Sequence, residues 1–312
     1  EPWWKAYHVI ANYFARVSAA LSHGEQRNPA LVLEPTTTAW MYQGAQGDTL
    51  GTIGNTFQQL VTDLAKAQAE FDIGCEDIIA RHGASDGAQY VVGQRAYDTF
   101  VLPPHTENLN ARTAELLEAF IENGGVALAC EPAVLARIDG QASPRAEALL
   151  AQCRRIETAQ LATALRERVK DGFAVVRPEG DGGILYHHRR RLDDGDLVFF
   201  VNTSNESPAH AVVRSRAKGV QQWDPDTGEC RPYPFGGDGV EVDLPPCGSL
   251  LLFFSDQSIE AAAPAKAKRD PRPAPPTTAM DIRRVCPNVL TLDFATVTAG
   301  GETRENMHVR RA

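Results

Sequence analysis

The feature that most limits the fold is a change of hydrophobic period about halfway along the 312-residue chain. Up to about residue 142, short apolar runs alternate with amphipathic segments. From Phe173 onward, short runs rich in β-branched and aromatic residues are separated by Gly, Asp, Asn and Pro. Strands alternating with helices imply crossover connections and a parallel sheet, whereas short strands joined by tight turns imply an antiparallel one. The fold class expected is therefore α/β plus β, with a doubly wound domain over 25–142 and an antiparallel β domain over 172–256.

In the first part, Ala30-Leu31-Val32-Leu33, closed by Glu34-Pro35, reads as a buried strand. Phe71-Asp72-Ile73, Tyr90-Val91-Val92, Thr99-Phe100-Val101-Leu102 and Val126 to Cys130 are further apolar runs, with Gly93-Gln94-Arg95 as a tight turn. Helices are expected over 4–21, 56–71 and 108–122, each with apolar residues at steps of three and four. The stretch 36–44 reads as a polar and aromatic loop, and 143–171 as a helical connector over 144–169, broken near Ile156. In the second part, strands are expected at Phe173 to Val176, Ile184 to Arg189, Asp196 to Asn202, Ala211 to Arg214 and Leu250 to Phe254. Asp193-Asp194-Gly195-Asp196 is a hairpin signal, because Asp and Gly tolerate the positive φ such turns need. Residues 257–279 form a Pro-, Ala- and Lys-rich linker that cannot make a core. Asp281 to Val285 and Asn288 to Phe294 read as the first strands of an incomplete β-sandwich domain over 280–312.

Composition narrows the function classes. Hydrophobic residues are 43% and charged residues 23%, an ordinary globular balance, and no run of eighteen apolar residues suggests a membrane-spanning helix. With 31 basic and 40 acidic residues, the net charge of −9 argues against nonspecific nucleic-acid binding. The six cysteines are widely spaced, with no Cys-x-x-Cys pair or close histidine, so no zinc site is expected. Cys130 reads as a small buried hydrophobe.

No nucleophile elbow, P-loop, HExxH or GxGxxG motif is present. A doubly wound domain suggests a flavodoxin-like or class I amidotransferase-like fold, yet Cys75 has no glycine bracket and no downstream His-Glu pair is evident. The basic run His187-His188-Arg189-Arg190-Arg191 lies one strand before three aspartates, so charge pairing across a hairpin is favoured over a phosphate site. Trp223 is expected to pack inward from a turn. Trp3, Trp4 and Trp40 are candidates for stacking on a sugar ring. Glu1, Glu34, Asp72, Glu76 and Glu131 lie near the ends of elements, where sites on α/β proteins gather.

Taken in order, Pro2-Trp3-Trp4-Lys5, Tyr13-Phe14-Ala15-Arg16-Val17-Ser18, Leu21-Ser22-His23-Gly24 and the strand to Pro35 resemble the segment that leaves the catalytic barrel in α-L-rhamnosidases of glycoside hydrolase family 106. Tyr97-Asp98-Thr99-Phe100-Val101-Leu102-Pro103-Pro104 and Gly124-Gly125-Val126 resemble an amidotransferase-like accessory domain behind such barrels. Phe199-Phe200-Val201-Asn202, Trp223-Asp224-Pro225-Asp226-Thr227-Gly228 and Gly248-Ser249-Leu250 resemble the β domain that follows it. Asn288-Val289-Leu290-Thr291-Leu292-Asp293 is similar to the opening of a further sandwich.

The resemblance implies that 1–24 is the final helix of a truncated catalytic barrel and that the chain is a piece of something longer. This fits its opening on Glu1-Pro2 without an initiator Met or leader. It implies an inverting, two-carboxylate glycoside hydrolase acting on terminal rhamnosides, with calcium as a cofactor of the full-length protein and none evident in this chain. It also implies Glu1, two residues before Trp3, as a general base; the stacking candidates Trp3, Trp4 and Trp40, read from their aromatic faces, are the substrate-binding residues expected. The partner expected is a carbohydrate, with neither nucleic acid nor membrane, and the full-length protein is expected to be secreted or periplasmic. Two other classes stay open: a noncatalytic carbohydrate-binding or oligomerisation module, with a homo-oligomer as its form, and an amidotransferase-like enzyme.

Overall fold

A computed structural model describes residues 2–44, 47–236, 239–260 and 294–308. The chain divides into two units, Glu1–Ala265 and Lys266–Ala312. The first opens with a 3-10 helix, Pro2–Ala6, then α1 (Tyr7–Ser22) and β1 (Glu25–Gln26). An α/β domain follows: β2 (Ala30–Leu33), α2 (Thr36–Met41), α3 (Thr49–Lys66), β3 (Phe71–Gly74), α4 (Glu76–His82), β4 (Gly83–Asp86), β5 (Gln89–Val92), β6 (Arg95–Tyr97) and β7 (Thr99–Leu102). It continues with β8 (Asn108–Leu109), α5 (Ala111–Glu122), β9 (Val126–Cys130), β10 (Arg137–Ile138), β11 (Gln141–Ala142), α6 (Pro144–Gln152), β12 (Arg154–Ile156) and α7 (Thr158–Glu167).

Its main sheet is wholly parallel, in the order β3-β2-β7-β9-β12. Counted along the chain, this is a 2-1-3-4-5 order, a doubly wound arrangement with its switch point between β2 and β7. The central strands are continuous apolar runs because they are covered on both faces. Their side chains alternate between two cores. Leu31, Leu33, Phe100, Leu102, Ala127 and Ala129 meet the layer containing α5 and α6, while Ala30, Val32, Val101, Leu128 and Cys130 meet α3 and α7. On α3, Ile53, Phe57, Leu60 and Leu64 form the inward stripe, so the helix starts seven residues before the expected position. Its first turns contain Gly51 and Gly54, poor helix formers, and burial of Ile53 outweighs that propensity.

Two further expectations are corrected. The expected loop 36–44 contains helix α2, whose three threonines give weak local propensity and whose hold on β8 is tertiary. The expected connector 143–171 holds two helices flanking β12, the fifth strand of the parallel sheet. Only Ile156 of that three-residue strand is buried, too little for periodicity to reveal.

The β domain comprises β13 (Ala174–Val176), β14 (Leu185–Leu192), β15 (Gly195–Asn202), β16 (Ala209–Arg214), β17 (Gly219–Trp223), β18 (Cys230–Pro232), β19 (Val240–Leu244) and β20 (Ser249–Ser255). A six-stranded sheet, β1-β14-β15-β20-β17-β18, faces the three-stranded β13-β16-β19, and every pairing is antiparallel. Leu185, Val198, Phe200, Val213, Val220, Val242, Leu252 and Phe254 fill the space between them. Asp193-Asp194 forms the expected hairpin turn, with Leu192 opposite Gly195, but without the positive φ expected there: none of residues 193–195 adopts it. Glycine is needed there because a Cβ at 195 would overlap the Phe254 carbonyl.

The outer face of the larger sheet is also apolar: Leu197, Leu251 and Phe253 are buried, with Ala20 of α1 and Trp223 packed against them. Helix α1 therefore lies on the β domain. It is tied there by Tyr13 Oη to Ser249 Oγ at 3.0 Å and by Arg16, which donates to the carbonyls of Pro225 and Asp226 at 2.9 and 2.6 Å. Trp223 packs inward as expected, 5.3 Å from Phe253 between ring centroids.

In the second unit, β21 (Phe294–Ala299) and β22 (Glu302–His308) form a hairpin about Gly300-Gly301, both glycines at positive φ. The linker 261–278 and the expected strands at 281–285 and 288–293 lie outside the described residues.

Phe100, fully buried in β7 and 4.8 Å from Tyr90 by ring centroids, tests the packing of the α/β core. Phe100→Ala is expected to cost about 3–5 kcal/mol in urea unfolding, whereas Trp40→Ala, at an exposed position, should stay within about 0.5 kcal/mol.

Candidate functional site

Glu1, the expected general base, lies outside the described residues. Trp3 belongs to the 3-10 helix Pro2–Ala6. Trp4 is 65% exposed and stacks on Tyr7 at 5.2 Å between centroids. Ile10 and Phe14, one and two turns further along α1, are also exposed, so Tyr7, Ile10 and Phe14 form an outward apolar stripe opposite the face that grips the β sheet. Trp40 is exposed too, but it stands on α2 of the α/β domain. The expected aromatic residues thus belong to two separate elements.

In doubly wound domains a ligand crevice is expected beyond the carboxyl ends of the strands, at the switch point. Here that region is occupied by a closed hydrogen-bond network. Thr38 Oγ1 accepts from the backbone N–H of both Glu107 and Asn108 at 3.1 Å, and Asn108 Oδ1 accepts from Gly140 N at 2.7 Å. Tyr42 Oη donates to the Glu107 carboxylate at 2.8 Å. Thr38, Asn108 and Glu76 are all nearly inaccessible, at 0%, 3% and 3% exposure.

Two of the other expected carboxylates, Asp72 and Glu131, are held by near neighbours, whereas Glu34 enters only through backbone hydrogen bonds at the end of β2. Asp72 accepts from Asn28 and Tyr97 at 2.6 and 2.9 Å, and Glu131 from Ala133 N and Arg155 at 3.0 and 3.1 Å. Neither Cys75 nor Cys130 has a histidine partner among the described residues. Burial pushes the Cys130 thiol up to about 12, which suits a core residue and not a nucleophile.

Glu76 itself is unusual. Its Oε2 accepts from Asn110 N at 2.9 Å and from the Thr37 hydroxyl at 3.1 Å. Burial nevertheless outweighs these bonds and, with the nearby charge of Asp139, raises its pKa to about 7.

The densest charge cluster lies where the two domains of the first unit meet. Arg189 of β14 is 4% exposed and makes a bidentate pair with Glu70 at 2.7 and 2.8 Å. Its remaining nitrogen donates to Asp171 at 2.7 Å and Asp196 at 3.2 Å, and the guanidinium lies 4.2 Å above the Phe173 ring centre. The Gln68 amide donates to the Leu185 carbonyl at 2.7 Å, which turns its oxygen toward His187 Nδ1 at 2.8 Å. His187 thus has an acceptor at each ring nitrogen: Gln68 Oε1 at Nδ1 and Glu70 Oε1 at Nε2, 3.4 Å away. Burial pushes the Glu70 carboxyl up, but the hydrogen bonds from His187 and Arg189 and the guanidinium charge outweigh it and hold the pKa below the ordinary value.

The expected pairing of the basic run across its own hairpin is realised at Asp196, which pairs with Arg189 and with Arg191. The chief partner of Arg189, however, is Glu70, which is 119 residues away and was not among the sequence candidates. Gln68 and Asp171 were missed as well. A carboxylate just before an apolar run is too common a pattern to single out.

Among the described residues no group of three or more His, Cys, Asp or Glu could hold a metal ion. Among the described residues no helix is long and apolar enough to cross a membrane.

No protein-family model matches the chain, and no curated protein matches it. Among solved structures, it is similar to a rhamnosidase from Novosphingobium sp. PP1Y, with a TM-score of 0.59 at 18% identity over 85% of this chain. The match covers 26% of the rhamnosidase, so the chain spans about a quarter of that protein's length. A second match, to AmyP in complex with maltose, has a TM-score of 0.22 at 12% identity, covers 65% of this chain and 50% of that one, and carries no argument. At 18% identity the likeness establishes a shared fold: an α/β-plus-β arrangement of a kind that a glycoside hydrolase also contains.

The two buried carboxyls have opposite pH signatures. Glu76, raised, keeps its proton in the folded chain up to about pH 7 while the unfolded chain releases it near 4.3, so its contribution to stability falls as the pH rises through that window. Glu76→Gln should flatten the decline by about 2–3 kcal/mol in urea titrations run across it. Glu70, lowered, contributes stability above the ordinary carboxylate value and loses it as the pH falls toward its depressed folded value. Glu70→Ala leaves Arg189 buried without its bidentate partner and is expected to cost about 3 kcal/mol at neutral pH, read as a lowered thermal midpoint.

Proposed function

We propose that this chain is the accessory region of a glycoside hydrolase of the α-L-rhamnosidase type, resembling family 106, and that it supports a catalytic domain more than it performs chemistry itself. The observation that carries this reading is the fold likeness over 85% of the chain to one quarter of a rhamnosidase. The motif series from Pro2-Trp3-Trp4 to Gly248-Ser249-Leu250 supports it in the same order. The doubly wound order of the parallel sheet is compatible with the flavodoxin- or amidotransferase-like form of the accessory domain. Filling of the switch-point crevice by Thr38, Asn108 and Glu76 fits a supporting role for that domain.

In this reading the outward stripe of Tyr7, Ile10 and Phe14 seats against the catalytic domain. Glu1, just before the 3-10 helix, contributes to the rim of the active site as the general base. Inversion needs that base on one face of the sugar and a carboxylic acid on the other, about 6.5–9.5 Å apart to admit a water. The acid comes from the catalytic domain, and no step is assigned to a metal. The substrate is a terminal rhamnoside of a polysaccharide or glycoside, and the complete protein acts outside the cytoplasm.

The product of the complete gene should hydrolyse an aryl α-L-rhamnoside, and the 312-residue chain alone should not. Absence of hydrolysis by the complete protein overturns the reading. Glu1→Gln in that protein should lower kcat by about 100-fold or more, the scale of a lost general base; an unchanged rate removes Glu1 from the mechanism.

A further inference from the structure

The switch-point network is closed on one side by α2, and α2 is held lightly. Of its six residues only Thr38 is buried, and Trp40 is exposed. Three hydrogen-bonding side chains attach it and its end to the rest of the domain. Thr38 holds the amides of Glu107 and Asn108, Tyr42 the Glu107 carboxylate, and Thr37 the carboxyl group of Glu76. A helix this short does not persist without such contacts.

The attachment to Glu76 differs from the other two. One carboxyl group, 3% exposed, joins three elements: its own helix α4, the Asn110 amide that precedes α5, and the Thr37 hydroxyl of α2. Both donors are neutral, and among the described residues no cation pairs with Glu76. The charged and titratable groups on the surrounding elements do not compensate it either. Arg112 of α5 pairs with Glu115 at 2.9 Å, Asp77 of α4 pairs with Arg81, and burial pushes the Tyr90 hydroxyl of β5 up, so it stays neutral. Asp139, in the turn between β10 and β11, carries the same charge as an ionised Glu76 and disfavours it.

A buried carboxylate with neutral donors and an anion beside it is costly, whereas the same group in water ionises freely. Lifting α2 removes the Thr37 side of its enclosure and admits water. Ionisation and opening therefore favour each other.

We propose that α2 is a lid over the switch-point crevice and that Glu76 is its proton-operated latch, shut while the carboxyl is protonated and opening more often once it ionises. What the lid uncovers is the place where doubly wound domains take ligands. A carboxyl raised to about 7 under the closed lid, and near 4.3 in water, favours closure fully below about pH 4.3. That preference is lost progressively as the pH rises to about 7. The proposal goes beyond the accessory-region reading and does not depend on it, because every group involved lies within the α/β domain.

Hydrogen exchange of the 312-residue chain, followed by NMR from pH 5 to 8.5 and corrected for the chemical exchange rate, tests it. The amides of Ala39, Tyr42 and Gln43, bonded within α2 and at its end, should be at least about tenfold less protected than those of Val101 and Leu128 in the parallel sheet, the mark of local opening. Their protection should fall by roughly 40-fold between pH 5 and 7, and by only about twofold more up to pH 8.5. Glu76→Gln should abolish this dependence. Asp139→Asn, whose amide oxygen can still accept from Ala111 N, should move the levelling-off to lower pH, and it decides alone if Glu76→Gln does not fold. Three results overturn the proposal: the α2 amides are as protected as the sheet, their protection does not change with pH, or the change is the same in the parent and in every variant that folds. Rhamnoside hydrolysis by the complete protein is a separate readout, so either proposal can fail while the other stands.

Discussion

The geometry of the first unit depends on one buried ion pair. Arg189 comes from the middle of a β strand in one domain and Glu70 from the residue before a parallel strand in the other, and neither is accessible enough for water to replace its partner. Such a pair adds little net stability, because desolvating two charges offsets most of their attraction. Its effect is on specificity: a bidentate fork accepts one approach of the carboxylate, so the domains have one way to meet in which neither charge is stranded. Gln68, His187, Asp171 and Asp196 extend the requirement: both aspartates accept from the third nitrogen of Arg189, and His187 bridges Gln68 to Glu70.

The two ends of the α/β domain differ in kind. At the carboxyl ends of its strands, backbone amides are satisfied by Thr38, Glu76 and Asn108, and the crevice common in doubly wound proteins is filled by the protein's own side chains. On the side that meets the β domain, a network of paired charges is interrupted by cavities.

How much of this could be read from the sequence follows from how local each signal is. The strands at 30–33, 99–102 and 126–130 were legible because central parallel strands are apolar on both faces, and the Asp193-Asp194 hairpin because its turn chemistry lies within four residues. Helix α2 and strand β12 were not, since three threonines and a lone buried isoleucine owe their structure to distant partners. β19 was missed despite a usable signal, the alternation of Val240, Val242 and Leu244. Of the candidate site, the exposed aromatic residues could be named in advance, but the charge cluster could not: its central contact joins residues 119 apart, and nothing local marks Glu70 as the partner of Arg189.

Strand β1, two residues long, pairs through Glu25 and Gln26 with Arg191 and Arg190 of β14. The β domain thus takes its covering helix and its edge strand from the beginning of the unit and all its other strands from the end, with the α/β domain inserted between them. On the ribosome, α1 therefore emerges long before the sheet that buries its inner face. At about 5–20 residues per second the wait is on the order of ten seconds. During that interval the face of α1 that Leu197, Leu251 and Phe253 will cover has no sheet to pack on.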